Sequence, residues 1–442
     1  MGKTALLDEN PQIWETRWTV MSKLIGHMAA TLPADLAHRD TFAHLLGNLQ
    51  AFGQGQFSYF YTKLTNGEPA PDGFSQQYAL SQTLDQIGRD MTLIGLAIHQ
   101  REATSPREVR DSLRLTDDFA AAVLKPAQRY LGGDSKVITY LNKSDLTRVL
   151  PYAPVALVGV PFSTVNLDDG QPRAIRDFLA IPHEVGHYVY WHGKTQNSGP
   201  YNGMRFCWAL PHQIKHSAVA NWAAPWAEEV FADTYGARTA GPMITVDFQE
   251  LLIERDSDQD FTGNNGEHPT SFIRPEGYCT TLDAIGLNEW ADQMRAAWVE
   301  KRRRIVPDNA PLLLNHGQTV SHAEASAQLE RMTQAANSLI PKVNFDAQRA
   351  HTLFNDIGSA SDKNDLIYRV WLDVLRSEGG TRGLPGGAGN APAAFSWADW
   401  KAALLADVAI VADLEKGTAP EWNVVLGAGG WVDGPGGSPP VR

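Results

Sequence analysis

The chain has 442 residues, of which 43% are hydrophobic and 20% charged, a composition typical of a folded globular protein rather than a disordered or fibrous one. Its 38 Lys and Arg residues are outnumbered by 50 Asp and Glu residues, and the formal charge of -12 disfavours nucleic acid as a partner. Only two cysteines are present, Cys207 and Cys279, which excludes a disulfide scaffold, indicates a reducing compartment and leaves open whether these two pair.

Residues 1–133 are expected to form a helical region. Segments that begin at Trp14, Asp40 and Gln76 repeat apolar residues at spacings of three and four, the period of an amphipathic helix. A further helix is predicted with Ser105 as its N-cap, followed by a proline and a glutamate that completes a capping box. None of these helices contains a recognisable chemical motif.

Nothing in the sequence predicts export or a membrane anchor. The N-terminal residues carry acidic side chains where a signal peptide needs an uninterrupted apolar core. No apolar run approaches the about 20 residues of a membrane-spanning helix. We therefore expect a cytoplasmic protein without membrane insertion.

Strands are predicted after Gly133, where the pattern changes. The segments 136–141 (KVITYL) and 153–165 (APVALVGVPFSTV) are apolar, rich in β-branched residues and bounded by Pro and Gly. Residues 155–163 directly precede a histidine-rich stretch. They are expected to form either an edge strand, which can hold an extended peptide through main-chain hydrogen bonds, or a buried core strand.

The histidine-rich stretch contains HEVGH, in which His183 and His187 stand four residues apart. On a helix both imidazoles project from one face and can bind one zinc ion. Glu184 lies next to the first histidine and can take a proton from a water molecule at the metal. Gly186 leaves room for another helix to pack closely. Because the pattern also arises by chance, a catalytic site requires a third ligand.

The residues on either side of HEVGH restrict which class of metal site the motif can belong to. Tyr190 and Gly193 stand where the metzincin pattern requires Gly and His, which excludes that class. His192 lies about 140° around the helix from His187 and is not expected to bind the same metal. Pro182 is disfavoured inside a helix, which suggests that the helix begins or kinks there.

The third ligand is predicted in PWAEEVFADTYGAR, where Glu229 and Asp233 stand four apart on a second helix. Glu229 would complete a shell of two histidines and one carboxylate, which leaves a position for water. Asp233 would accept the free ring N–H of a ligand histidine. Ala232 and Gly236 are small enough to permit close helix packing, and Glu228 is the weaker candidate ligand. The alternative is an ordinary amphipathic helix with solvated acids.

A third block, GEHPTSFIRPEGY, contains His268, Arg274 and Tyr278 in a turn-prone setting. A histidine or arginine fixed near the metal would stabilise the oxyanion that forms during peptide hydrolysis. His268 precedes a proline, so a turn residue that caps a helix is an equal alternative.

Helices are predicted again from about Trp290 onward. The segment 396–417 (SWADWKAALLADVAIVADLEKG) has helical periodicity. Residues 378–395 and 426–442 are rich in Gly and Pro, and are expected to form a long loop and an extended tail.

The three blocks HEVGHYVYWH, EVFADTYG and HPTSFIR resemble, in this order, motifs of the HtpX-like and CaaX-prenyl-protease gluzincins. The resemblance covers roughly residues 155 to 285. It implies zinc ligands at His183, His187 and Glu229. It also implies that Glu184 is the general base, that Asp233 orients a ligand, and that His268 and Arg274 lie beside the substrate carbonyl. The membrane-bound members have transmembrane helices that this sequence lacks, so membrane-protein substrates are not implied.

The sequence therefore predicts a mainly α protein with a small β-sheet (α+β). We expect a helical region at 1–133, a zincin-like metallopeptidase core at 134–300, and a helical C-terminal region at 301–442. The expected function is that of a zinc-dependent endopeptidase acting on proteins or peptides, with Glu184 as base. The alternative is a non-catalytic module in which zinc stabilises a helical interaction protein.

Overall fold

The computed structural model describes residues 11–68, 75–133, 135–142, 146–150, 152–162, 178–196, 199–255, 261–263, 266–308, 310–314, 317–346, 348–349 and 367–368. The chain divides into two compact units, Met1–Val374 and Leu375–Arg442. All described residues belong to the first unit. The predicted Gly-rich loop, the predicted helix at 396–417 and the tail lie outside the described residues.

The described residues are mainly helical with a small amount of β-structure, as the sequence predicts. The helices are α1 (Pro11–Ala30), α2 (Arg39–Thr65), α3 (Gln76–His99), α4 (Arg107–Leu124), α5 (Gln128–Leu131), α6 (Ala180–His192), α7 (Phe206–His216), α8 (Ala227–Ala240), α9 (Pro242–Arg255), α10 (Arg274–Ala284), α11 (Asn288–Arg302) and α12 (His322–Leu339). The strands are β1 (Lys136–Asn142), β2 (Leu146–Val149), β3 (Val155–Pro161), β4 (Leu312–Leu313) and β5 (Thr319–Val320).

The larger sheet has three strands in the order β1-β3-β2. β3 pairs with β1 in parallel, with Lys136 opposite Val155, and with β2 in antiparallel, with Leu146 opposite Gly159. β3 is therefore the central strand. The edge-strand alternative for residues 155–163 is wrong, and the buried core strand is confirmed. β4 and β5 form a separate antiparallel pair.

The three-stranded sheet separates two hydrophobic cores, because successive side chains of a strand point to opposite faces. On one face, Ile138, Tyr140 and Leu157 pack with the apolar side chains of α1, α2 and α3. On the other face, Leu141 and Val158 pack with those of α4, α6, α7, α8 and α12. Burial of each such side chain stabilises the folded chain by about 1.5–3 kcal/mol. Because the same strands contribute side chains to both faces, both cores depend on them.

A buried ion pair joins the two cores at the edge of the sheet. Arg101 donates from Nη2 to both carboxylate oxygens of Asp117, at 2.8 and 2.7 Å, and the backbone N–H of Thr139 donates to the same carboxylate at 2.7 Å. Nε2 of His38 lies 3.1 Å from Asp117. Burial would raise the pKa of Asp117, but the charge of Arg101 and the contact with His38 outweigh burial and lower it.

The prediction that Ser105 caps the N-terminus of α4 is wrong. The helix begins at Arg107, with Pro106 in the N-cap position. The hydroxyl of Ser105 instead donates to the carbonyl oxygen of His99, at 2.7 Å. The preceding turn therefore takes the hydroxyl that would have capped α4.

Two further expectations concern the cysteines and the membrane. Cys207 and Cys279 are both buried and are not joined by a disulfide. Among the described helices, none combines the length and the apolar character that crossing a bilayer requires. The predicted boundaries at 133/134 and 300/301, the zincin-like core and the cytoplasmic location stay predictions.

Candidate metal centre

Helix α6 carries the HEVGH motif. It begins at Ala180, so Pro182 stands in the first turn, where a backbone N–H has no acceptor within the helix and its absence costs little. This confirms the prediction that the helix begins near Pro182. His192 lies off the row formed by His183 and His187, and its ring stacks on Tyr188 with centroids 4.6 Å apart.

Helices α6 and α8 approach each other at backbone distance because small residues line their contact. A Cβ atom added to Gly186 would lie only 2.7 Å from Cα of Ala232. A Cβ atom added to Gly236 would lie 2.9 Å from the side chain of Ile244 and 3.4 Å from the backbone nitrogen of His183. The predicted close packing of the two helices is confirmed, and it brings the acids of α8 against the histidines of α6.

Three predicted ligands converge at this contact. The Nε2 atoms of His183 and His187 lie 3.1 Å apart. Glu229 lies 3.5 Å from Nε2 of His183 through Oε2 and 3.7 Å from Nε2 of His187 through Oε1. Two ligands of one tetrahedral zinc ion, each at about 2.0–2.1 Å, are about 3.3–3.4 Å apart. The three side chains therefore fit one zinc ion without rearrangement of the helices.

Each histidine is held by a carboxylate through its other ring nitrogen. Nδ1 of His183 lies 2.9 Å from Oδ1 of Asp233, and Nδ1 of His187 lies 3.0 Å from Oε1 of Glu228. The predicted role of Asp233 in orienting a ligand stays a prediction. A proton on each Nδ1 leaves the Nε2 lone pairs facing each other and Glu229. From the sequence, Glu228 was expected only as the weaker candidate ligand, and its contact with Nδ1 of His187 was not predicted. This pairing follows from the opposite direction of the two helices: His187 lies one turn after His183 on α6, and Glu228 lies about one turn before Asp233 on α8.

Arg274, the first residue of α10, is buried against the carboxylates of α8. It donates from Nε to Asp233 at 2.7 Å, and from Nη2 to Asp233 and to Glu229, both at 2.9 Å. The hydroxyl of Tyr278, one turn later on α10, donates to Asp233 at 2.8 Å. These contacts fix the orientation of both acids. The predicted position of Arg274 beside a substrate carbonyl stays a prediction.

The two remaining predicted residues lie beside the three ligands. His268 precedes α10, and its Nε2 lies 3.3 Å from Oε1 of Glu229, with 25% of the side chain exposed. Glu184 follows His183 on α6 and is half-buried. The structure thus brings six of the seven predicted site residues into contact, and Glu184 adjoins one of them, His183, along the chain.

The charges of the centre are strongly coupled. Burial would raise the pKa values of Glu229 and Asp233, but His183 and Arg274 outweigh it, and they hold the pKa of Glu229 well below its usual range and that of Asp233 at about 2. Burial would lower the pKa of His183, but Asp233 and Glu229 raise it to about 10. Both carboxylates are therefore ionised at neutral pH, and they hold a second proton on His183 that a bound metal ion would replace.

Fold and side chains together form a partly buried cluster of two histidines and one glutamate on two packed helices, which could hold a metal ion. Comparisons of the chain with protein-family models, with curated proteins and with solved structures found no match. The class of the centre therefore follows from its geometry, and the likeness to the gluzincins stays a resemblance of three motifs.

Proposed function

We propose that the chain is a zinc-dependent peptidase. The observation that carries this proposal is the convergence of His183, His187 and Glu229, with the outer nitrogen of each histidine held by a carboxylate. Two imidazoles and one carboxylate are the ligand set of a catalytic zinc site, because they leave one coordination position open for water. When bound there, zinc supplies Lewis acidity that polarises a carbonyl group and makes water a stronger acid.

Glu184 is the proposed general base. It neighbours the first ligand on α6, whereas a purely structural site has no use for an additional half-buried acid at that point. Glu184 accepts a proton from the attacking water as the new carbon–oxygen bond forms. It then delivers that proton to the amide nitrogen as the carbon–nitrogen bond breaks, so no further proton donor is required.

Arg274 and Asp233 are proposed as positioning residues. Asp233 holds Nδ1 of His183, and the buried guanidinium holds Asp233 and Glu229 together. An ionised pair of acids in a protein interior requires a compensating charge, and Arg274 provides it. Their contribution is a fixed and correctly protonated ligand set.

His268 is proposed to stabilise the oxyanion. Its side chain is partly exposed and lies within reach of Glu229, so its ring is at the margin of the centre where a substrate carbonyl can approach. A protonated or neutral imidazole donates one hydrogen bond to the negative oxygen that develops during hydrolysis.

The decisive experiment compares wild-type protein with Glu184→Gln on an unbiased peptide library, with zinc measured in both. We expect the variant to retain about one zinc ion per chain and to lose cleavage by at least about a hundredfold, the scale of general-base catalysis. The control is Glu289→Gln, which changes an exposed glutamate in the first turn of α11 and should leave cleavage unchanged. Full activity of the Glu184→Gln protein would refute the proposed role.

A further inference from the structure

Trp191 continues the row of metal-ligand positions along α6. It lies four residues after His187 and eight after His183, so all three side chains project from one face of the helix. Unlike the buried residues around it, Trp191 is 41% exposed. Its ring therefore lies next to the metal centre and in contact with solvent, where a bound substrate can reach it.

Glu228 fixes the orientation of this ring. The indole Nε1–H of Trp191 donates to Oε1 of Glu228 at 2.8 Å, and the same oxygen lies 3.0 Å from Nδ1 of His187. Both contacts use one oxygen, and 35% of the glutamate side chain is exposed. An accessible carboxylate and an accessible indole thus stand side by side.

This combination selects for cationic ligands. The face of an indole attracts an ammonium or guanidinium group through its quadrupole, and a neighbouring carboxylate adds a charge-assisted hydrogen bond. An aliphatic side chain would contact the ring but would also desolvate the carboxylate without a partner. The net charge of -12 further favours the approach of cationic peptides.

The same chain already pairs indole rings with guanidinium groups, one of them exposed. Arg205 lies over the ring of Trp208, 5.8 Å from its centroid, and Trp208 is 60% exposed on α7. Arg17 lies 4.6 Å from the ring centroid of Trp14 on α1. Trp208 is consequently a matched control for Trp191: an exposed tryptophan that has an intramolecular cation.

We propose that Trp191 and Glu228 form a subsite that binds a lysine or arginine side chain of a peptide substrate, beside the scissile bond. The proposal rests on the peptidase function argued above and narrows its substrate class to peptides with a basic residue at one position. Trp191 is then a specificity residue that contacts substrate, while Glu228 both binds the basic group and orients His187.

Two measurements test the subsite. In the first, the zinc-loaded wild-type protein should enrich Lys or Arg at one fixed position of a cleaved peptide library. Trp191→Leu should lower kcat/KM for such a peptide about tenfold while changing that of the matched norleucine peptide by less than about twofold. Trp208→Leu should change neither peptide, and zinc content should be equal in all three proteins.

The second measurement is binding without turnover. Zinc-loaded Glu184→Gln protein should bind the basic peptide more tightly than the norleucine peptide, and adding Trp191→Leu should abolish the difference in Kd. Equal Kd values for both peptides, or an equal loss of kcat/KM on both, would overturn the subsite but leave the peptidase intact. Absence of any cleavage by the wild-type protein would overturn the peptidase instead, and the Kd values would still decide the subsite.

Discussion

Arg274 donates two hydrogen bonds to the carboxylate of Asp233, from Nε at 2.7 Å and from Nη2 at 2.9 Å. Oδ1 of Asp233 also lies 2.9 Å from Nδ1 of His183, so the guanidinium reaches the first predicted ligand through a single carboxylate. A residue on α10 thereby sets the direction in which a histidine on α6 presents its free nitrogen. The centre thus depends on three helices, although its predicted ligands come from only two.

Removing the guanidinium should destabilise the protein even without metal. Arg274→Met leaves two buried carboxylates without their compensating charge, and we expect the free energy of unfolding to fall by about 3–5 kcal/mol. Arg274→Lys keeps the charge but loses the bidentate geometry. Its free energy of unfolding should therefore lie between those of the wild type and Arg274→Met. Urea unfolding of the zinc-free proteins measures both changes. Unfolding of Arg274→Met at the wild-type urea midpoint would exclude this role.

The contact between α6 and α8 should not tolerate one added methyl group. Because the Cβ atom of Gly186→Ala would lie 2.7 Å from the backbone of α8, the helices must separate, at a cost of about 1–3 kcal/mol. Separation also moves Glu229 away from the histidines, so zinc affinity should fall, as measured by competition with a chromogenic chelator.

Gly47→Ala provides the matched control for that substitution. Gly47 lies within α2, and no heavy atom outside its immediate chain lies within 4 Å of an added Cβ. Alanine has the higher helix propensity, so this variant should gain about 0.5–1 kcal/mol and keep wild-type zinc affinity. A destabilised Gly47→Ala protein would show that steric contact is not the difference between the two sites.

Removal of the metal should abolish peptide cleavage while most of the helical fold remains. The apolar packing of α6 and α8 does not require an ion, and Arg274 already compensates the nearby acids. Circular dichroism before and after chelation, followed by zinc addition, measures loss and recovery. Cooperative unfolding on chelation at 25 °C would instead favour the non-catalytic module that zinc stabilises.

Acid should weaken the protein through Asp117. The pKa of this buried carboxyl is lower in the folded chain than its unfolded value of about 3.9, mainly because Arg101 and His38 outweigh burial. Its contribution to stability is therefore fully present above the unfolded pKa and is lost as pH falls through the folded pKa. In urea unfolding between pH 7 and pH 3, the stability difference between wild type and Asp117→Asn should shrink towards acid pH.

Asp111→Asn is the corresponding control, because Asp111 lies on the same helix with an exposed side chain paired to Arg107. We expect its effect to stay within about 0.5 kcal/mol at every pH. If Asp117→Asn and Asp111→Asn followed the same pH profile, the acid sensitivity would have another origin.

The sequence predicted that His183 and His187 lie together because their proximity depends on local periodicity. A four-residue spacing places His183 and His187 on one face of a helix whatever the rest of the chain does, and Pro182 marks the start of that helix. The roles of Glu228 and Trp191 depend instead on how α8 is rotated and aligned against α6. Small residues indicate that two helices pack closely, but they do not determine how α8 is rotated about its axis relative to α6.

The sheet shows the same division between local and tertiary information. The apolar run of β3 predicted a strand but fitted an edge or a central position equally well, because such a run does not show on which sides the strand is paired. Ser105 failed as a predicted cap for a related reason: its hydroxyl found an acceptor in the turn before the helix.

The central position of β3 has a consequence for how substitutions act at a distance. Its alternate side chains serve two cores, so a one-residue slip in its register would expose apolar groups to the wrong partners on both faces at once. Helix α6 rests on this strand from one face, and the bundle of α1, α2 and α3 covers the other. A cavity made at Leu157, on the side of β3 that faces the bundle, would therefore disturb the strand against which α6 and its two histidines pack.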